Sequence, residues 1–368
     1  MSDEEYMRIA LKLAKKGCGT VSPNPMVGAV IVKNGKIIGE GWHKKCGEPH
    51  AERNALSDCS GPADKATMYV TLEPCCHHGR QPPCTEAIIA AGISRVVIGS
   101  ADPNPQVSGK GISILREHKI EVTKNVLQKE CDELNEVFFH YIKTKRPFVV
   151  MKYAMTLDGK IACHTGDSKW ITGEKAREHV HSLRNRYSAI MVGVNTVISD
   201  DPMLNCRING GKDPVRVICD TNLRTPLTSK VVLTADKIPT VIATCCNQSE
   251  RWTEYEKHGC KLILTPLKNG HVDLNCLMEK LGQQEIDSVL IEGGSEVHWS
   301  ALKSGIVNKA AVYISPKLFG GKDAKSPIGG EGVFIPDEAF RLKNRKITVL
   351  GDDFLIEGEV ESCVYRNN

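Results

Sequence analysis

Apolar positions in the first part of the chain alternate between two periods. Met7, Ala10, Leu11 and Ala14 fall on an i, i+3, i+4, i+7 stripe, the spacing of one helix face. Ser2 and Glu5 stand ahead of it at capping-box spacing, so a helix is predicted to about Lys16. Residues 27–32 and 36–39 read as strands, and Asn34-Gly35 between them is a strong hairpin signal. His50 opens a helical segment, HAERNALSDC. Residues 68–72 form a strand that Glu73-Pro74 ends. Helix is predicted over 85–91 with Gly92 as its stop, strand over 95–99, helix over 109–118 and strand over 120–122. Asp102-Pro103-Asn104-Pro105 is a turn by composition. Leu134, Val137, Phe138 and Tyr141 make a further helical stripe. Strands alternating with helices in this way predict an α/β sandwich.

Thr144-Lys145-Arg146-Pro147 is polar and ends in proline, which sets a boundary between residues 1–146 and 147–368. The second part opens on a strand, PFVVMKYAM, followed by a Leu157-Asp158-Gly159 turn. Helix, strand, helical turn and loop are read across HSLRNRYSAIMVGVNTVISDDPMLNCR. Strands follow at 215–220, 241–244 and 287–291. The last runs into Glu292-Gly293-Gly294-Ser295, with helix over 297–303. A Gly-Gly turn from strand to helix can hold a phosphate on backbone N–H groups, or simply reverse the chain. No G-x-G-x-x-G is present, which argues against a classical dinucleotide domain.

At 368 residues the chain has room for two such domains. Its net charge is +4, and residues 1–146 hold 20 Lys/Arg against 17 Asp/Glu, leaving 28 against 27 in the remainder. Neither part is basic enough to argue for nucleic acid. The acidic start, MSDEEYMRIALKLAKKG, is no secretory signal, and no apolar run approaches the ~18 residues of a membrane span. The 15 cysteines are odd in number and dispersed. They read as cytoplasmic thiols plus a metal site, not as a disulfide framework.

The candidate chemistry is concentrated between His50 and Cys84. His50, Cys75 and Cys84 are three zinc-type ligands, and Glu52 follows the histidine by two residues. Catalytic zinc takes three protein ligands and keeps one position for water, whose pKa it lowers towards neutrality. A carboxylate that does not ligate the metal can then carry protons to a leaving amine. H-x-E followed by P-C-x-x-C is the pattern of zinc nucleobase deaminases. Pro74-Cys75 fits its second half, but Cys84 follows Cys75 by nine residues. The insert carries Cys76, His77, His78, Gly79, Arg80 and Pro82-Pro83. A structural zinc knuckle would need a fourth ligand, which Cys76, His77 or His78 would supply, and would have no use for Glu52.

The string PCCHHGRQPPC resembles the deaminase half of the bifunctional riboflavin-biosynthesis deaminase/reductases. MKYAMTLDGKIA, SKWIT, RNRYSAIMVGVNTVISDDPMLNCR and IEGG resemble the reductase half, so the likeness covers about residues 1–360. It implies a cytidine-deaminase-like α/β/α sandwich followed by a dihydrofolate-reductase-like α/β domain. The first would use Zn2+ on His50, Cys75 and Cys84, with hydroxide on zinc and Glu52 as catalytic proton carrier, to deaminate a diaminopyrimidinone ribosyl phosphate. Asn24, His43, Asp102 and Asn104 would contact that substrate. The second domain would use NADPH to reduce the ribosyl to a ribityl chain. There the resemblance implies cofactor contacts from Ala154, Trp170, Thr196, Asp200, Thr221, Gly294, Ser295, Glu296, Val297, His298, Trp299 and Ser300. It implies substrate contacts from Lys152, Ser168, Arg184, Leu204, Arg207 and Glu292. Lys152 or Asp200 would manage the proton that accompanies the hydride, and Arg184 and Arg207 would hold the sugar phosphate.

The expected partner is therefore a small pyrimidine ribosyl phosphate. The chain is expected to be a homo-oligomer that engages neither nucleic acid nor membrane. Two other readings compete: a nucleoside or tRNA deaminase with an unrelated second domain, and a non-catalytic zinc-stabilised binding protein. Filter binding to tRNA separates the first from the favoured reading, and dispensability of Glu52 separates the second.

Overall fold

The structure, a computed structural model, describes residues 1–79 and 81–361. It divides into two compact units, Met1–Lys145 and a second from Arg146 onward.

The first unit runs α1 (Asp3–Ala14), β1 (Gly28–Lys33), β2 (Lys36–Trp42), α2 (Ala51–Ser57), β3 (Thr67–Leu72), α3 (Cys84–Ala90), β4 (Arg95–Ser100), α4 (Lys110–Glu117), β5 (Glu121–Thr123), α5 (Gln128–Leu134) and α6 (Glu136–Thr144). The capping box forms: the Ser2 side chain accepts the Glu5 N–H, and Glu5 reaches back to the Ser2 N–H. Asn34 and Gly35 both take positive φ, 51° and 73°, as a two-residue primed turn requires. The sheet order is β2-β1-β3-β4-β5, antiparallel through β3 and parallel beyond it.

Strand alternation builds a core on each face of this sheet. Ala29, Ile31, Met68, Val70, Val96 and Ile98 pack with α2, α3 and α4. Val30, Val32, Tyr69 and Val97 pack with α1 and α5. The stripe from Leu134 to Tyr141 is not one helix. It breaks at Asn135, which leaves helical geometry (φ −106°, ψ 20°). Its side chain accepts the Met26 N–H at 2.9 Å and donates to the Met26 carbonyl at 3.0 Å. A pair of tertiary hydrogen bonds overrides the periodic pattern there.

The second unit runs β6 (Phe148–Thr156), α7 (Glu174–Arg186), β7 (Ala189–Gly193), α8 (Val194–Asp200), β8 (Val215–Cys219), α9 (Lys230–Leu233), β9 (Thr240–Thr244), α10 (Ser249–Lys257), β10 (Lys261–Leu264), the short β11 (Leu267–Lys268) and β12 (His271–Val272), α11 (Leu274–Gln283), β13 (Ser288–Gly293), α12 (Ser295–Lys303), β14 (Lys309–Ser315), β15 (Arg341–Leu350) and β16 (Asp353–Glu361). Nine strands form one sheet in the order β10-β9-β8-β7-β13-β6-β14-β16-β15. It is parallel from β10 to β14, and β16 and β15 extend it antiparallel. The chain starts at β6, moves outward through β7 to β10, and returns to insert β13 between β7 and β6. Ligands of such sheets bind beyond the carboxyl ends of strands where the order reverses. Here those ends are Thr156, Gly193 and Gly293.

Val149, Met151, Val289 and Ile291 point to the core shared with α11 and α12. Lys152 and Glu292 come next along β6 and β13, so strand alternation turns both to the opposite face. The pair Ile291↔Met151 sets them side by side.

Candidate active sites

The metal-type cluster forms where two helices begin. His50 is the N-cap of α2, and Cys84 opens α3 behind Pro83. Cys75 lies just beyond β3. His50 Nδ1 is 3.5 Å from both Cys75 Sγ and Cys84 Sγ. The three ligand atoms all lie within 4.8 Å of one another. Zinc at ordinary bond lengths and a tetrahedral angle separates nitrogen and sulfur ligands by about 3.6 Å. The three donors therefore fit zinc as they stand. Cys76 Sγ is 3.7 Å from the Gln106 carbonyl and His78 faces Glu86, so neither completes a closed four-ligand site.

The long spacing between the cysteines is absorbed by a loop folded back on the helices. Thr85 N–H donates to the Cys75 carbonyl at 3.2 Å. Arg53, beside Glu52 on α2, donates to the carbonyls of Pro82 and Pro83 at 3.3 and 2.9 Å. Gln81 donates to the Gly47 carbonyl at 2.8 Å. Arg80 lies outside the described residues.

Cys75 carries thiolate character. The Cys84 thiol, against the cost of burial and helped by His50, holds the Cys75 thiol down to about 4. Cys84 is pushed up by the same hydrogen bond. Glu52, in the first turn of α2, is only 3% exposed. Burial, with the negative Cys75 sulfur adding to it, pushes the Glu52 carboxyl up to about 7. A carboxyl poised near neutrality is suited to passing protons in both directions.

Asn24 and His43 line up beside this cluster. The His43 ring stands edge-on to His50, with centroids 5.2 Å apart. His43 Nδ1 faces the Pro49 carbonyl at 3.3 Å, an acceptor only, so Nδ1 carries the proton. Nε2 then accepts from Asn24 Nδ2 at 3.2 Å. Burial lowers the His43 pKa, which keeps the ring neutral and this tautomer in place. Asn24 Oδ1 is left as the outward acceptor. In the Asp102–Asn104 turn, Asp102 Oδ1 accepts the Asn104 N–H at 2.8 Å, and Asn104 Oδ1 accepts the Gln106 N–H at 3.1 Å. Burial pushes the Asp102 carboxyl up to about 6.

In the second unit a compact charge cluster sits under α7. Glu292 Oε1 takes Arg184 Nε at 2.6 Å and Oε2 takes Arg184 Nη2 at 2.9 Å, and Lys152 Nζ stands 3.6 Å from the same Oε2. Arg184 Nη1 donates to the Asn205 carbonyl at 2.9 Å. Each of the three Arg184 nitrogens thus makes one contact within the protein. Arg207 is exposed, and among the described residues its guanidinium has one hydrogen-bond contact, 3.5 Å to Asn205 Oδ1. Burial opposes ionisation of Glu292, but Arg184 and Lys152 outweigh it and hold the carboxyl at about 2. Burial lowers the Lys152 pKa, against the pull of Glu292. Lys152 also lies over the Tyr313 ring, 5.6 Å from its centroid, and Tyr313 Oη is 2.7 Å from His179 Nδ1.

Leu204 is buried at positive φ (52°), one residue before Asn205. Ala154 lies two residues past Lys152 on β6, and Thr196 packs beside the Gly293-Gly294 turn. A Cβ on Gly293 would lie 3.3 Å from Thr196 Oγ1, and one on Gly193 would lie 2.8 Å from Val297. Gly294 takes φ +88°. These glycines let Thr196 and Val297 pack directly on the backbone where β7 and β13 end, and the strand-to-helix turn that opens α12 is the kind of backbone that suits a phosphate-bearing cofactor such as NADPH. Ser295 starts α12 there. Deeper along the helix, His298 Nδ1 meets the Pro327 carbonyl at 2.8 Å, Trp299 packs edge-on to Phe340, and Glu296 accepts the Gly330 N–H. These three side chains face the 327–340 segment. Val297 faces Gly193, and Ser300 is half-buried.

Trp170 is 62% exposed with the Arg177 guanidinium 4.7 Å over its ring. Ser168 is half-buried two residues before it. Thr221 follows β8, and its carbonyl takes the Cys245 N–H. Asp200 ends α8 and is exposed. Sequence reasoning missed Glu73, Arg53, Tyr313 and His181. The His181 ring, its pKa lowered by burial and then by Arg184 and Arg207, belongs to the same charge cluster.

Comparison with known proteins covers both units. A model described as the cytidine and deoxycytidylate deaminase zinc-binding region matches residues 1–100, and one described as the RibD C-terminal domain matches residues 147–356. The chain is 54% identical to a riboflavin biosynthesis protein RibD of Actinobacillus pleuropneumoniae, covering 97% of this chain and 95% of that one. It is 45% identical to one of Aquifex aeolicus, covering 96% and 97%. A solved diaminohydroxyphosphoribosylaminopyrimidine deaminase/5-amino-6-(5-phosphoribosylamino)uracil reductase from Thermotoga maritima superposes with a TM-score of 0.86 at 42% identity, covering 98% of this chain and 99% of that one.

Proposed function

This chain belongs to the riboflavin biosynthesis protein RibD family, zinc- and NADPH-dependent deaminase/reductases, and on that premise we propose a role for each site residue. The fold classes follow the family: a cytidine-deaminase-like unit and a dihydrofolate-reductase-like reductase unit. We take residues 1–146 as the deaminase and 147–368 as the reductase. The separation of compact units after Lys145 supports that division.

The substrate of the first site is 2,5-diamino-6-(5-phosphoribosylamino)pyrimidin-4-one, in line with the name of the Thermotoga maritima relative. Zinc on His50, Cys75 and Cys84, when bound, supplies the Lewis acidity that readies water for attack near neutral pH. Glu52 takes a proton from that water and delivers it to the amine as the ring carbon–nitrogen bond breaks. Ammonia leaves and a ring carbonyl remains. Asn24 Oδ1 and the neutral His43 orient the ring, while Asp102 and Asn104 hold its far edge.

NADPH, when bound at the Gly293-Gly294 turn, supplies the hydride of the second reaction. The ribose ring opens as hydride adds to the anomeric carbon and a proton reaches the departing ring oxygen. Lys152 delivers that proton. It is buried against Glu292 with a lowered pKa, whereas Asp200 is exposed at a helix end. Glu292 holds Lys152, Arg184 holds Glu292 and the Asn205 backbone, and Arg207 takes the sugar phosphate. Ser168 and Leu204 line the same substrate space. Ala154, Trp170, Thr196, Thr221 and the start of α12 line the cofactor.

Among the described residues no helix is long and apolar enough to cross a membrane. No disulfide joins the described cysteines, which supports a cytoplasmic, reducing setting. Exposed Ile347 and Val349 on the edge strand β15 support self-association. The near-even charge of both parts supports a protein that does not engage nucleic acid.

The observation that carries this function is Glu52, a buried carboxyl beside three zinc-type donors and not among them. The test supplies diaminopyrimidine substrate and NADPH to the purified protein and follows ammonia and NADPH absorbance together. Equal amounts of ammonia released and NADPH consumed are expected. Ammonia release without NADPH consumption would remove the reductase assignment.

A further inference from the structure

Glu73 follows β3, two residues ahead of Cys75, and is 3% exposed. Among the described residues no cation pairs with its carboxylate. Three backbone amides do. Oε2 accepts the N–H of Asp102 at 3.4 Å and of Gly109 at 3.1 Å, and Oε1 accepts the N–H of Ile112 at 3.2 Å.

Those amides bracket the turn that carries Asp102 and Asn104 and the first turn of α4. The N-cap of α4 is Gly109, held at φ +77° with no side chain to cap the helix. Glu73 supplies the missing cap from another strand, at the end of the helix that favours negative charge. The dock is close: a Cβ on Gly111 would lie 2.3 Å from the Pro74 carbonyl. The Cys76 Sγ contact to the Gln106 carbonyl is a second tie between the same two segments. A buried carboxylate is costly unless it is hydrogen-bonded, and every bond Glu73 makes within this region joins the metal-bearing segment to the 102–112 segment.

We propose that Glu73 is a positioning residue for deamination: it fixes the Asp102–Asn104 turn relative to Cys75, and so sets where the pyrimidine edge is held with respect to the metal. This rests on the reading above that Asp102 and Asn104 contact the pyrimidine. The partners of the Glu73 carboxylate among the described residues are backbone amides.

The test compares Glu73→Gln, Glu73→Asp and Asn104→Ala in the full chain, with zinc content and reductase kinetics measured alongside deamination. Glutamine keeps the shape but turns one acceptor oxygen into an amide NH2 that faces N–H donors. Loss of a charge-assisted bond of this kind corresponds to roughly a tenfold rise in KM for deamination. The kcat is expected to change far less, zinc content to stay at the wild-type level, and reductase kinetics to be unaltered. Aspartate keeps the charge and should recover part of the KM. Unchanged KM in Glu73→Gln, with a raised KM in Asn104→Ala, would refute the role of Glu73 alone. Unchanged KM in Asn104→Ala would refute the reading of the turn, and this inference with it. Loss of zinc, or an unfolded deaminase unit beside a working reductase in both Glu73 variants, would reduce Glu73 to a structural residue.

Discussion

Arg184 grips Glu292 through two parallel contacts, Nε to Oε1 at 2.6 Å and Nη2 to Oε2 at 2.9 Å. The pair is nearly dry, with side chains 15% and 6% exposed, and Lys152 Nζ also approaches Oε2, at 3.6 Å. Removing the carboxylate charge strands two buried cations. Glu292→Gln is expected to destabilise the reductase unit by roughly 3–5 kcal/mol. The folded Glu292 titrates at about 2, below the ~4.3 of an unfolded glutamate. Its contribution is therefore fully present above about pH 4 and lost as pH falls from about 4 towards 2. Thermal unfolding of wild type and variant should converge in that window. A constant gap across it would contradict the ionised pair.

Arg184 and Arg207 should behave differently although both are arginines in one segment. Arg207 is exposed and free to meet a phosphate. Arg207→Ala is expected to raise the substrate KM of reduction by roughly tenfold or more, the scale of a charge-assisted contact, with no change in melting temperature. Arg184→Ala should lower the melting temperature instead. Steady-state kinetics and calorimetry of the two variants check this.

For the proton of the reductase, Lys152 and Asp200 give opposite expectations. Lys152→Met keeps bulk in the buried site and removes the donor, which typically costs about 10²–10⁴ in kcat. Asp200→Asn, at an exposed helix end, should cost far less. The reverse order, measured on deaminated substrate under saturating NADPH, would transfer the role to Asp200.

Cys84→Ala should strip zinc from the protein, because it removes one of three donors, whereas Cys76→Ala should retain it. Metal analysis of the two variants decides. Retention in the first and loss in the second would move the third ligand.

Much of the fold was legible because local and tertiary preferences agree. The Ser2/Glu5 box and the Asn34-Gly35 turn form as their residues direct, and the apolar runs of β1 and β3 are buried on both faces of the sheet. The pattern misled at Asn135, where two bonds to the Met26 backbone, 109 residues away, break a continuous stripe. The edge strand β15 was harder to see, since RLKNRKITVL is largely polar and exposed. The zinc-type ligands and Glu52 were legible as a motif. Glu73 was not, because its partners lie 29 to 39 residues away in sequence and are all backbone amides. The Arg184 contacts to Glu292 and the Asn205 carbonyl were not legible, because sequence alone does not tell which acceptor a guanidinium will meet.

Deamination and reduction are expected at separate sites, with Glu52 as the proton carrier of the first. Glu52→Gln tests this most directly. Glutamine keeps the side-chain shape in its buried position but cannot take a proton, and it is not a zinc ligand. The variant should retain zinc and lose deamination towards the upper end of the ~10²–10⁴ typical of a general acid–base, because one carboxyl serves several transfers per cycle. It should still oxidise NADPH when given the deaminated intermediate. Near-normal ammonia release from zinc-loaded Glu52→Gln protein would contradict the mechanism, and loss of both activities together would contradict the separation of the sites.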